Sequence, residues 1–202
     1  MLTKRNCLWV VLQLSLVCLS RAIEYEFIPD KDGLFVPCEN HPAKPSGFDA
    51  LLDMSQIKVA VKDGSTLQMS GDAVVVWPGV EPSDTVTIFG QVYQHEQGTW
   101  QKTMFSAGSK NFCKNMFEKN QYWYTFWTKH ISNSDDVKKT CVNTRGTLLK
   151  HESFELPLKT NLNVPNLKGR YKLMVLIEAF DKRNVKRPVS GCTEFRGTVQ
   201  RV

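Results

Sequence analysis

Histidine is the side chain best suited to move protons near neutral pH, and this chain has four: His41, His95, His130 and His151. His130 and His151 with Lys129 would supply the two imidazoles and the cation that a secreted ribonuclease could use. Their spacing carries no signature of such a site, and each histidine reads as lying in a polar loop or at a strand end. A hydrolase also needs a nucleophile and a group that orients its base. The sequence has no G-x-S-x-G elbow, no H-E-x-x-H pair and no pattern of paired carboxylates. Cys38 and His41 stand C-x-x-H, but no second pair completes a metal site. The residues therefore point away from an enzyme, with no catalytic set, no metal and no cofactor implied.

The compartment follows from the first residues and the cysteines. The chain opens with a basic MLTKRN, an apolar run CLWVVLQLSLVCLS, and small residues Ser20 and Ala22 where a signal peptidase reads them. That run is shorter than the roughly 20 apolar residues that span a bilayer. Residues 1–22 read as a signal peptide and residues 23–202 as a single secreted, extracellular domain. Losing Lys4, Arg5 and Arg21 takes the net charge from +6 to +3. Mild basicity suits an acidic lipid or matrix surface; nucleic acid asks for a clustered basic face. Lys182, Arg183, Lys186 and Arg187 do cluster, in what reads as a solvated hairpin turn. Cys7 and Cys18 leave with the signal. Cys38, Cys113, Cys141 and Cys192 remain, an even number that in a secreted chain reads as two disulfides in any of three pairings.

The elements that must position these residues are strands. Residues 23–28 alternate Ile23, Tyr25, Phe27 against Glu24 and Glu26, and IKVAV alternates Ile57, Val59, Val61. Residues 66–71 and 73–79 read as two further strands. The strongest hairpin is DTVTIFGQVYQHEQGTWQKTMF, turning at Glu96-Gln97-Gly98. Val86, Ile88 and Val92 would line one of its faces, Phe89 and Tyr93 the other. Phe154, Leu156 and Leu158 alternate, as do Tyr171, Leu173, Val175 and Ile177, and then Thr193, Phe195 and Val199. About eight strands at regular intervals predict an all-β antiparallel sandwich or barrel-like cup. One short helix is expected, capped by Ser109 and placing Phe112, Cys113, Met116 and Phe117 on one face.

One stretch resists this pattern. Five of the six residues from 122 to 127 are aromatic: Tyr122, Trp123, Tyr124, Phe126 and Trp127. Neither alternation nor a helical stripe gives all five a common face, so both sides of the segment must meet something apolar. Two readings stand: a thick core strand, or the lip of a cavity or lipid-docking surface. On the second reading Trp123 and Trp127 would report ligand binding, and their loss would leave the fold intact.

From IKVAVKDGSTLQMSG to the C-terminus the chain resembles the ganglioside-activator, or ML lipid-recognition, family. The resemblance rests on the strand series ending in GTWQKTMF, Phe112-Cys113, Cys141 ahead of HESFELPL, and GRYKLMVLIEAF followed by GCTEF. Within that group it is most similar to the insect chemosensory-B proteins, and the likeness covers about three quarters of the chain. It implies a two-sheet antiparallel β-cup splayed around an apolar cavity, binding lipid without catalysing a reaction. It also implies the pairs Cys38–Cys192 and Cys113–Cys141, the latter closing the aromatic segment. Tyr122, Trp123, Tyr124, Phe126, Trp127, Met116 and Phe117 are then the expected ligand-binding residues. Ganglioside activators carry more disulfides and a glycan, whereas this sequence has no N-x-S/T acceptor. A shorter lipid or a cuticular hydrocarbon serves equally well as the implied ligand.

Two functions are expected on these grounds. The first is a secreted, non-catalytic carrier of an apolar ligand, acting in chemosensation and touching a membrane surface or receptor transiently. The alternative is an interaction module whose aromatic segment docks a receptor or enzyme.

Overall fold

Period-two sequence becomes strand wherever it can be paired. The computed structural model describes residues 22–202 apart from Asn40, Asp63 and Ser65. The signal peptide expected over residues 1–22 lies, Ala22 aside, outside the described residues. The strands are β1 (Ile23–Pro29), β2 (Val36–Pro37), β3 (Leu52–Asp53), β4 (Lys58–Lys62), β5 (Thr66–Val75), β6 (Thr85–Glu96), β7 (Thr99–Ser109), β8 (Leu148–Pro157), β9 (Lys159–Leu162), β10 (Gly169–Phe180) and β11 (Gly191–Arg201). They form two antiparallel sheets. The larger runs β7-β6-β10-β11-β1-β9, with β2 also on β11; in the smaller, β5 has β8 on one side and β3 and β4 on the other.

The count exceeds the eight strands expected, because β2, β3 and β9 are too short to show a period. In one place the sequence divides what the structure joins. The segments at 66–71 and 73–79 are a single strand to Val75, kinked where its register with β8 slips between Met69 and Gly71. Gly71 has φ +108, and a Cβ there would strike the Gln56 carbonyl, so only glycine fits. The β6–β7 turn holds Gln97 and Gly98 at φ 47 and 81, the left-handed pair that a tight hairpin needs.

Among the described residues three short α-helices replace the one expected: α1 (Phe112–Asn115), α2 (Tyr122–Phe126) and α3 (Ser134–Thr140). Asn111 rather than Ser109 caps the first, its side-chain oxygen accepting from the Lys114 N–H at 3.2 Å. The Ser109 hydroxyl instead accepts from the Asn111 N–H. The aromatic run is therefore a helical turn, neither strand nor loop.

The inner faces of both sheets meet in one apolar cluster. Ala73 and Val75 of β5 and Leu149 of β8 join Val86 and Ile88 of β6 and Ile177 and Ala179 of β10, with Phe112 and Met116 between. Cys113–Cys141 staples the helical segment shut, with Cα atoms 5.6 Å apart, and Cys38–Cys192 ties the residue after β2 to β11 at 5.4 Å. In the chain-entropy view each closure contributes roughly 3–5 kcal/mol. The basic turn after β10 is less solvated than its sequence implies. Arg187 makes two 2.8 Å bonds to the buried Asp84 carboxylate, and Lys186 pairs with Glu178. Phe112 has no exposed surface, so Phe112→Ala should cost about 3–5 kcal/mol. Urea unfolding measures this, and a loss under about 1 kcal/mol would show that the ring is not core.

Candidate functional site

Burial falls along both inner faces toward one end, interrupted at Tyr171 and Leu67, which stay buried. On β10, Ala179 and Ile177 are buried, whereas Leu173 on the same face is 38% exposed. On the smaller sheet Val75 and Ala73 are buried, while Val59 and Val61, on the face they share with Leu67 and Met69, reach 37% and 50%. Phe105 of β7, in the irregular stretch between Ser106 and Lys102, is 37% exposed as well. The sheets therefore pack at one end and present apolar side chains to solvent at the other. Leu67 escapes this only because Val61 and Leu156 flank it. The closed end keeps an apolar void of about 10 Å³, bordered by Trp127, Trp77, Leu51, Leu52, Val142 and Ile177 among others. That is room for about one water-sized sphere.

The helical segment divides the expected site residues. Trp123 and Trp127 stand one turn apart and both turn inward. Trp123 meets the Phe112 ring edge-on at 5.6 Å, Trp127 stacks on it at 6.0 Å, and the Trp123 indole N–H donates to the Asn115 carbonyl. Met116 is fully buried and Phe117 half-buried, with the Lys138 ammonium 5.4 Å from its ring. Tyr124 is half-buried. Tyr122 and Phe126, also one turn apart, point outward and are 69% and 52% exposed. The two tryptophans thus belong to the packing of the closed end, and the segment has one apolar face in and one out.

His151 sits differently from the sequence expectation, whereas His41 lies in a loop and His95 near the end of β6. His151 lies inside β8 on the inner face and is buried. Its Nε2 accepts from the Trp127 indole N–H at 3.2 Å, and its Nδ1 lies 3.3 Å from the Gly71 carbonyl. These partners assign the neutral ring with its proton on Nδ1. His130 stacks on Phe154 with ring centres 3.9 Å apart. Alternation of Leu149 and His151 within TLLKHESF was the sequence signal for an inward His151. No cluster of three metal-ligating side chains exists among the described residues. Cys38, the other half of the C-x-x-H, is in a disulfide.

Burial pushes both imidazoles below the ordinary histidine pKa. Lys129 and His151 add to this at His130, while the Gly71 carbonyl and Asp72 oppose it at His151. The unfolded chain takes up protons near about pH 6.5, but the folded chain refuses them until lower pH. Stability is thus complete above that value and declines as pH falls through it. Urea titrations should show the decline between about pH 7 and pH 5, and His151→Gln should flatten it. A level wild-type profile across that window would contradict the assignment.

Fold and site together define an all-β, two-sheet cup with a helical plug at its closed end and part-exposed apolar walls at the other. No family profile matches the sequence, and no curated protein matches it. Among solved structures the chain is similar to a Niemann-Pick type C2 protein from the Japanese carpenter ant. The match has 10% identity and a TM-score of 0.20, and covers 66% of this chain and 74% of that one. At that identity and superposition, the neighbour's function carries nothing over to this chain.

Proposed function

We propose that residues 23–202 form a secreted, non-catalytic carrier that holds an apolar ligand between its two sheets. The observation that supports this is the loss of burial along both inner faces, from Ile177 to Leu173 and from Val75 to Val61. Apolar surface in water costs about 25 cal/mol per Å², and an acyl or hydrocarbon chain laid along those faces removes that cost. The walls at that end offer methyl, methylene and ring carbon, which suits a lipid better than a polar metabolite. The resemblance to chemosensory-B proteins adds chemosensation as the setting. Solvent extracts of the purified protein, read by mass spectrometry, should contain lipid. Leu173→Asp and Val61→Asp should each weaken uptake of a fluorescent fatty acid by at least roughly tenfold, since each puts a charge where the chain must lie. Their thermal midpoints should stay near wild type, because both positions already meet water. A lipid-free protein that takes up no long-chain probe would sink the reading.

A second reading has its own observation. Tyr122 and Phe126 present two large rings to solvent beside the exposed Lys119 and Lys129. That pair suits a protein partner or brief contact with an anionic membrane, since aromatic anchors dominate interfaces. Tyr122→Ala with Phe126→Ala should leave stability within about 1 kcal/mol and leave probe uptake unchanged. Loss of receptor capture or vesicle binding alone would assign this face to docking; loss of probe uptake would assign it to the cavity.

A further inference from the structure

We propose that the Trp127–His151 hydrogen bond is an acid-operated latch on the space between the sheets. The inference rests on the ligand reading above and adds its regulation. Trp127 does two things at once: its ring borders the void at the closed end, and its N–H is held by His151 Nε2 at 3.2 Å. An indole N–H can only donate. The bond therefore exists only while that nitrogen of His151 is unprotonated.

A proton on Nε2 sets two donors against each other in a buried place. Losing the partner of a buried polar group is costly, and more so when a charge is created. The neighbours do little to relieve that charge. Asp72 of β5 is the acid that offsets it, whereas Lys129 of the 3₁₀ turn Thr128–His130 adds repulsion at His130. On β8 itself, Lys150 and Glu152 alternate to the opposite face and are exposed. The segment Tyr122–Phe126 carries no charged side chain near neutral pH. His130 compounds the effect, because its buried Nε2 has no hydrogen-bond partner among the described residues and its charge would face that of His151.

Relief comes from moving Trp127. Leaving His151 takes the indole away from the void and withdraws one wall of the closed end. The helical segment is short and anchored there chiefly by rings and the Cys113–Cys141 staple, so the motion is local. Neutral pH thus fixes the closed end from which both inner faces run; acid loosens it, and an apolar chain lying farther along those faces loses its fixed seat.

The test uses the full mature chain, a neutral naphthylamine probe that does not itself titrate in this range, and the ¹⁵N-labelled indole signal of Trp127. In wild type the indole signal should shift between about pH 7 and pH 5, and probe affinity should fall by about tenfold over the same step. His151→Gln should hold both level, since a glutamine oxygen accepts from Trp127, and its amide donates to Gly71, without titrating. Release from His151→Gln over the wild-type range, or a wild-type indole signal that does not move, overturns the latch. Should His151→Gln fail to fold, Trp127→Phe replaces it; lacking the bond, it should take the probe equally weakly at both pH values, and a retained acid step overturns the proposal. A titrating indole in a protein that binds no probe at any pH supports the latch and overturns the ligand reading alone.

Discussion

Phe112 is the constraint on which the rest of the architecture depends. It lies three residues past the end of β7, its ring is entirely buried where the inner faces of both sheets meet, and it receives Trp123 edge-on and Trp127 in parallel. Aromatic contacts of this geometry add about 0.5–1.5 kcal/mol each beyond the area they bury. They hold a segment too poor in regular structure to hold itself: three helices of seven residues or fewer. Cys113 is the next residue, so the disulfide to Cys141 fixes the same point by a covalent route. With one end closed in this way, the far ends of the sheets are free to part.

The larger sheet resists that parting on its other face. Lys172 of β10 sits between the rings of Tyr93 and Trp100 and bonds Glu194 of β11 at 2.7 Å, while Arg196 shares the same carboxylate at 2.6 Å. Both Lys172 and Glu194 are buried. Desolvation cancels much of the energy of such a cluster. Its geometry still tolerates only one arrangement of β6, β10 and β11, which keeps the inner row from Tyr171 to Ala179 in a single register. The larger wall is thus held by a buried charge cluster, whereas the Lys62–Glu155 pair on the smaller wall is exposed.

Local chemistry made much of this fold legible in the sequence. The β6–β7 hairpin follows from alternation and a left-handed Gln97-Gly98 turn, and β10 and β11 follow from long apolar alternation. What stayed hidden depends on distant partners. Val59 and Val61 alternate like half-buried residues, yet their exposure is decided by how far the opposite sheet stands away. The aromatic run reads as helix only once Phe112 selects Trp123 and Trp127 as the inward pair; five rings in six residues mask an i, i+4 stripe. His151 looks like a strand-end polar residue until Gly71 and Trp127 close over it. In each case sequence carried the period, and tertiary context chose the face.

The strand β4 has a further consequence, for how the protein behaves in a crowd. It lies at an edge of its sheet, paired with β5 alone, and every one of its residues is exposed. A bare apolar edge is a template on which identical chains can stack. The sequence here is Lys-Val-Ala-Val-Lys. An antiparallel pairing of two copies centred on Ala60 would set each Lys58 against the other chain's Lys62. Like charges directly opposite each other destabilise a strand pair. A cup whose apolar walls stand open to solvent is thereby guarded against self-templated aggregation along this margin.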